Sequence, residues 1–477
     1  MRNTNQTKIL LINPFNEFKA PVLPLGLASI AGYLKNKNKD IEISVIDAWA
    51  ENLNFQKLKD RVCQSGADII GVTVVSPRYD KAKKTIEICR EALPNSLIVA
   101  GGPHISALPT ETLNDIPQLD ICVIGEGEIT MNELVNAFQN KSSFSEIDGI
   151  AYRDKNNEIK TAKPREYIKD LDSLPFPARE LFPMERYKSY PPYGKKSPCI
   201  TTITSRGCPY QCAFCSKDVF KNIYRFRSAK NVVDEIEELI TKYGAREIQF
   251  YDDDFSMNMK RAEEICDEIL KRGVKIPWGC LTRVDQVNEK LLKKMKEAGC
   301  WLILYGVESG NQNILNNINK GFTVEQVVSA FEETKKAGIL TLCSFIVGLP
   351  GDTRETIKET FDLIKRIKPD FAGCSVLIIY PGSRLFKLIQ EKKYPGKLRI
   401  LGNKERLAGT IAGKGNYAVL EDNLTFEELN KMVPKFKQEF YLRPQYIIHS
   451  LKNIRSFSDF VYYLNAGKIM VQALFGI

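Results

Sequence analysis

Short apolar runs, nearly continuous in Ile, Val and Leu, alternate with helix-period stretches along most of this chain. Strands that are apolar on both faces must be covered on both faces, and parallel strands joined by helices achieve this. In the first part the runs are Lys8–Pro14, Glu42–Ala48, Asp68–Ser76, Ser96–Gly101 and Asp120–Gly125. Helical patterns at Leu25–Lys37, Phe55–Gln64, Arg78–Ala92 and Thr110–Leu113 separate them, and Thr130–Gln139 follows the last. This order predicts an α/β fold with an open, doubly wound Rossmann-like sheet over residues 1–145. Residues 146–198 read as a hairpin around Lys155–Asn157 and a linker held extended by Pro175 and Pro177. From residue 199 the alternation resumes. Strands are expected at Cys199–Ser205, Glu247–Asp252, Trp278–Arg283, Trp301–Val307, Thr341–Val347 and Phe371–Tyr380. Strongly patterned helices lie between them, several closed by Gly, as at Gly244. The pattern predicts a partial (β/α)6 barrel over 199–393. A turn at Pro395-Gly396 opens a mainly helical cap over 394–477.

Composition narrows the class. The 477 residues are 43% hydrophobic and 26% charged, as in ordinary globular proteins. No apolar run approaches the roughly 20 residues of a membrane span, and the start, Met1–Thr7, lacks a secretory core. A cytoplasmic location is therefore expected. The net charge of +10 is spread over 68 basic and 58 acidic residues, without the concentrated stripe of a nucleic-acid binder. Half of the excess lies in Leu429–Ile477, with seven Lys/Arg against two Asp/Glu.

Twelve cysteines stand beside only two histidines, His104 and His449. Nine cysteines are scattered, mostly in apolar runs where a thiol is a small core hydrophobe. The other three, Cys208, Cys212 and Cys215, sit in one loop after the first barrel strand, Arg206-Gly207-Cys208-Pro209-Tyr210-Gln211-Cys212-Ala213-Phe214-Cys215. Thiolates suit iron–sulfur clusters or zinc. Structural zinc wants four protein ligands, and neither histidine is near in sequence. Cys199 is a further thiol, but it alternates into a strand. Three ligands on a four-iron cluster leave one iron open to a cosubstrate.

This loop resembles the radical S-adenosylmethionine superfamily, whose signature is Cys-x3-Cys-x-aromatic-Cys, with Phe214 as the aromatic. The resemblance implies a 4Fe–4S cluster on Cys208, Cys212 and Cys215. It further implies S-adenosylmethionine on the open iron and reductive cleavage to a 5′-deoxyadenosyl radical. By place in the barrel it implies that Asp252 or Asp253 holds the methionine amino group. The alternative is that the segment only caps the next helix, Asn258–Arg272, a task open to Asp254 and Ser256. Arg283 is placed to pair a carboxylate and Glu308 to contact ribose or the methionyl part, each with a rim ion pair as the alternative. Gly348 and Gly351 would let backbone approach adenine, and Tyr380–Ser383 closes the sixth strand, with a simple turn as its alternative.

The N-terminal sheet resembles the cobalamin-binding domains fused to such barrels. Ala100-Gly101-Gly102-Pro103-His104 and Gly125-Glu126-Gly127-Glu128 follow the fourth and fifth strands. The resemblance places Thr73–Val75 as a cofactor contact, Gly101 and Gly102 beside the nucleotide tail, and Gly125, Glu126 and Gly127 at the same edge. The usual Asp-x-His-x-x-Gly after the first strand is missing, so cobalamin is expected without histidine as its lower ligand. His104 reads either as a ligand or as a hydrogen-bonding group.

These features point to a cobalamin-dependent radical S-adenosylmethionine enzyme that methylates an unactivated carbon of a small or lipophilic substrate. The alternatives are an oxidative cyclase or rearrangement enzyme of the anaerobic Mg-protoporphyrin ester cyclase type and, from another class, a non-catalytic iron–sulfur electron carrier. A flavodoxin- or ferredoxin-type donor is implied. The aromatic and basic stretch Phe440–Phe475 reads as a packed cap, a cover for a lipophilic substrate, or a peripheral membrane contact.

Overall fold

The computed structural model describes residues 6–16, 20–188, 191–401, 417–452, 454 and 457–475. The start read as lacking a secretory core lies outside them over residues 1–5, as do residues 17–19 of the segment after the first strand. The chain divides into two compact units. One comprises Met1–Tyr187 with Ser216–Lys221 and Tyr380–Gly382, and the other Lys188–Cys215, Asn222–Ile379 and Ser383–Ile477.

The first unit is built from β1 (Thr7–Asn13), α1 (Leu25–Lys37), β2 (Ile41–Asp47), α2 (Phe55–Ser65), β3 (Ile69–Thr73) and α3 (Tyr79–Ala92). It continues with β4 (Leu97–Gly101), α4 (Pro103–Ala107), α5 (Pro109–Asp115), β5 (Ile121–Val123), α6 (Glu128–Gln139), β6 (Ile150–Arg153) and β7 (Ile159–Thr161). The seven strands run in the order β2-β1-β3-β4-β5-β6-β7. The pairs from β2 to β5 are parallel, which gives the doubly wound order with its switch point between β1 and β3. Buried Ile9 and Leu11 face one core layer, while Leu10 and Ile12 face the other, as the continuous apolar pattern requires. The hairpin expected in the linker belongs to this sheet. β6 pairs antiparallel with β5 through Ile121–Tyr152 and Val123–Ile150, because Ile150 and Ala151 are apolar enough to extend the core.

The second unit opens with β8 (Cys199–Thr202) and a two-stranded ribbon, β9 (Ser205–Arg206) and β10 (Arg225–Phe226). Then follow α7 (Ala229–Tyr243), β11 (Glu247–Phe250), α8 (Met259–Lys271), β12 (Trp278–Thr282), α9 (Glu289–Glu297), β13 (Cys300–Glu308) and α10 (Gln312–Asn317). The unit ends with α11 (Val324–Lys336), β14 (Leu340–Val347), α12 (Arg354–Ile367), β15 (Phe371–Val376), α13 (Arg384–Gln390), β16 (Leu398–Leu401), β17 (Tyr417–Leu420), α14 (Phe426–Tyr441), α15 (Pro444–Lys452) and α16 (Phe457–Phe475). Six parallel strands in the order β15-β14-β13-β12-β11-β8 form the partial barrel. Its helices start where local chemistry directs. Capping boxes at Thr323/Gln326, Thr353/Thr356 and Thr425/Glu428 satisfy the first amides of α11, α12 and α14. α14 lies against the edge strand β15, from Leu429 beside Gly348 to Tyr441, whose hydroxyl donates to Ala372 O at 2.8 Å.

Candidate active site

The cysteine loop leaves the C-terminal end of β8, where parallel α/β sheets gather their reactive groups. Cys208 and Cys212 are half-buried and Cys215 is exposed, all as free thiols. The loop is pinned from distant elements. Ala213 N donates to Ile318 O at 2.9 Å, Leu385 N donates to Ala213 O at 3.0 Å, and Asn319 Nδ2 donates to Gln211 O at 3.2 Å. Among the described residues no three His, Cys, Asp or Glu side chains converge on a single point. A four-iron cube binds each thiolate at a separate iron, so this donor set fits that group.

Asp252 is buried beneath the loop and spends its oxygens on the chain. Its Oδ1 accepts from Thr204 N at 3.1 Å, from Thr204 Oγ1 at 2.8 Å and from the Ser205 hydroxyl. Asp253 is exposed. Asp254 does not cap a helix: α8 is capped by Asn258, which accepts from Arg261 N at 3.1 Å. Instead, Oδ1 of buried Asp254 accepts from Thr282 Oγ1 at 2.6 Å, while its Oδ2 meets no hydrogen-bond partner among the described residues. Burial pushes this carboxyl up to about 6. Ser256 likewise bonds Thr282 rather than a helix start.

Arg283 ends β12. Its Nε and Nη2 donate to the two oxygens of Asp285 at 2.8 and 2.9 Å, and Nη2 also donates to Lys320 O at 2.7 Å. Its guanidinium carbon lies 3.5 Å from the ring centroid of Tyr210, inside the cysteine loop. The carboxylate that Arg283 finds is thus its own chain's, and its planar face props the loop.

Glu308 ends β13 in the left-handed region, at φ +69, where the register with β14 shifts between Gly306 and Glu308. A non-glycine residue held there marks a constrained site. Its Oε1 accepts from Lys320 Nζ at 2.8 Å, and both side chains are nearly buried. Lys320 also lies 5.8 Å from the Phe214 ring centroid, which joins this ion pair to the cluster loop. Sequence reading missed Lys320, Asp285 and Tyr210. The only available signal was a lone lysine before Gly321-Phe322. After β14, the amides of Gly348 and Leu349 both donate to Asp352 Oδ2, at 2.9 and 3.0 Å, so neither is spare for adenine. A Cβ on Gly351 would stand 2.8 Å from Asn317 Nδ2.

In the first unit the strand ends around β1, β3, β4 and β5 form the second half of the candidate machinery. Thr73 and Val75 are half-buried on either side of buried Val74, as alternation along an extended segment requires. Gly102 has φ +109, and a Cβ there would stand 2.8 Å from Val74 O. Gly101 differs: a Cβ would meet nothing closer than Val123 at 3.8 Å, so the chain itself leaves that edge open. That open, glycine-lined edge fits a bulky planar cofactor. Gly125 N donates to Ser106 Oγ at 3.0 Å, Glu126 Oε2 accepts from Ile168 N at 3.0 Å, and a Cβ on Gly127 would collide with Ile30. Those three residues shape the loop. His104 Nδ1 bonds Ser76 Oγ at 3.0 Å, and its ring lies 4.3 Å from that of Tyr79. Burial lowers it to about 4, so it is neutral at physiological pH. A polar group unseen in the sequence joins the ends of β1 and β2: Asn13 Nδ2 and Tyr187 OH donate to Asp47 at 3.0 and 2.7 Å, and Arg78 stacks on Trp49.

Residues 202–364 match the Radical SAM superfamily and residues 15–135 the B12 binding domain. Over 452 residues the chain is 34% identical to an uncharacterized methyltransferase of Pyrococcus horikoshii, spanning 93% of this chain and 94% of that one. The chain belongs to the cobalamin-dependent radical S-adenosylmethionine enzymes. It is also 32% identical over 374 residues to the anaerobic magnesium-protoporphyrin IX monomethyl ester cyclase of Rubrivivax gelatinosus, across 77% of this chain and 66% of the cyclase. Among solved structures, the radical S-adenosylmethionine methyltransferase TsrM from Kitasatospora setae has a TM-score of 0.72 at 18% identity, over 92% of this chain and 90% of TsrM. The cobalamin-dependent radical enzyme OxsB has a TM-score of 0.74 at 21% identity, over 98% and 72%. These two likenesses concern the fold. As a radical S-adenosylmethionine enzyme with a B12 binding domain, the protein uses a 4Fe–4S cluster, S-adenosylmethionine and cobalamin. Among the described residues no helix is long and apolar enough to cross a membrane.

Proposed function

We propose that this radical S-adenosylmethionine enzyme transfers a methyl group to an unactivated carbon of a small or lipophilic substrate. The observation that carries this reading is co-extension. The chain and the Pyrococcus horikoshii methyltransferase match across almost their whole lengths, and the cytidylyl-2-hydroxyethylphosphonate methyltransferase of Streptomyces wedmorensis matches over 91% of this chain and 90% of its own. The chain spans only 66% of the Rubrivivax gelatinosus cyclase. That 32% identity nonetheless makes oxidative cyclisation the second reading.

When bound, the cluster supplies the electron that cleaves S-adenosylmethionine, and cobalamin carries the methyl group. The chain's own residues would divide the remaining work. Cys208, Cys212 and Cys215 hold the cluster. Asp254, with one oxygen unspent, receives the methionine ammonium in place of Asp252, whose oxygens secure the loop. The Lys320–Glu308 pair holds its carboxylate toward the ribose or methionyl part, and Arg283 positions the loop through Tyr210. Gly101 leaves room for the nucleotide tail of the corrin, and His104, already bonded to Ser76, stays off the cobalt. A flavodoxin- or ferredoxin-type protein supplies electrons.

Product stoichiometry tests the reaction. With substrate present, each turnover releases one S-adenosylhomocysteine and one 5′-deoxyadenosine, and the product gains a labelled methyl carbon. A converted product without the label, formed with no S-adenosylhomocysteine above background, would select cyclisation instead.

A further inference from the structure

The N-terminal end of the barrel in the second unit carries a feature that the proposed chemistry does not use. There α14, α15 and α16 enclose a cavity of about 410 Å3 beside Phe371 and Ala372, the first residues of β15. The six residues of β15 put roughly 20 Å between that end and the strand C-termini where the cysteine loop and Glu308 stand. A substrate in the cavity would be far from the reacting centre.

The cavity walls are apolar, with Lys437 of α14 as the one amine among them. Ile447 and Leu451 of α15 and Phe460 and Leu464 of α16 line the cavity and are also exposed, Leu451 at 62% and Leu464 at 61%. The cavity therefore opens onto a face that is itself apolar, since Leu442, Ile448 and Val461 are exposed as well. On α15 and on α16 the exposed residues recur at i, i+1 and i+4, a stripe down one side of each helix. An apolar surface of this kind marks an interaction site.

Charge selects the occupant. Between Tyr441 and Ile477 the sequence has Arg443, Lys452, Arg455 and Lys468 against one acid, Asp459. That acid is spent on Lys195, 3.7 Å away. An apolar stripe on a segment whose sequence carries four cations against one paired acid matches an anionic lipid surface. A second copy of this chain would bring the same positive charge against itself, which opposes self-association. We infer that α15 and α16 dock this enzyme on an anionic phospholipid bilayer, with a lipid hydrocarbon chain entering the cavity. The inference does not rest on the methyl-transfer reading.

The test floats the cofactor-loaded, full-length enzyme with vesicles of phosphatidylcholine alone or mixed with phosphatidylglycerol. The enzyme rises with the anionic vesicles at low salt, rises less at high salt, and stays behind with the uncharged ones. The Leu451→Glu/Leu464→Glu variant, changed only at exposed positions, loses vesicle partitioning on the order of a hundredfold. It keeps its bound iron and its S-adenosylmethionine cleavage, which separates lost docking from lost folding. Three outcomes overturn the inference: no flotation with either vesicle, flotation indifferent to lipid charge, or a dimer that the double variant dissolves in place of flotation.

Discussion

Asp252 and Asp254 stand two residues apart and meet different demands. Asp252 accepts from Thr204 and Ser205 and so fixes the chain just before the cysteine loop. Asp254 keeps Oδ2 without a hydrogen-bond partner in a buried place, which is costly unless a ligand answers it. Asp252→Asn should therefore lower iron content after reconstitution, because the Thr204 N–H, which donates to both carboxylate oxygens, would face an amide nitrogen whichever oxygen is replaced. Asp254→Asn should keep the iron and weaken S-adenosylmethionine binding, by roughly tenfold or more for a lost charge-assisted bond. Iron analysis and equilibrium binding separate the two, and equal iron loss in both would refute the assignment. The sequence made three adjacent aspartates visible but not their order of use, since that depends on Thr282 and Thr204 arriving from other segments. The cysteine triplet was legible because all of its ligands lie in one loop. Lys320 was not, because its significance comes from Glu308 and Phe214, each from a separate segment.

At the scale of elements, the end of β4 places two neighbouring glycines under different constraints. Gly102 is fixed by its own chain, with φ +109 and Val74 O close behind. Gly101 has room for a Cβ and is glycine without local need. Gly102→Ala should destabilise the first unit by about 1 kcal/mol or more, from backbone strain and contact together. Gly101→Ala should leave the unfolding midpoint nearly unchanged but reduce cobalamin retention after gel filtration. If Gly101→Ala retains cobalamin like the parent, the nucleotide tail does not pass there. Most strands and helices were legible because apolar period and cap chemistry agreed, as in α2 and α12. The role of β6 and β7 was not, because a short hairpin does not announce which sheet it joins; Ile150 decides that by pairing with Val123.

At the scale of the whole molecule, the barrel sheet of the second unit ends at β15, and α14 lies along that strand. Phe436 on α14 is 2% exposed and packs 5.5 Å from Phe361 and 6.3 Å from Phe345, ring to ring. Phe436→Ala should cost the second unit about 3 kcal/mol or more, read as an earlier urea transition. A shift too small to measure would mean that the edge strand stands without α14. The fold class was readable from alternation alone, whereas the sealing of this edge was not, since α14 has the same local pattern as any amphipathic helix. The pinning of the cysteine loop has a temporal consequence. The chain just before it bonds 48 residues ahead to Asp252, the loop itself 108 residues ahead to Asn319, and the bond from Leu385 reaches further still. Closing such separations precedes any gain from the contacts themselves. During synthesis the three thiols emerge long before the segments that shape their loop. The loop is thus held in shape only in a nearly finished chain, and until then its three thiols stand without the segments that fix them.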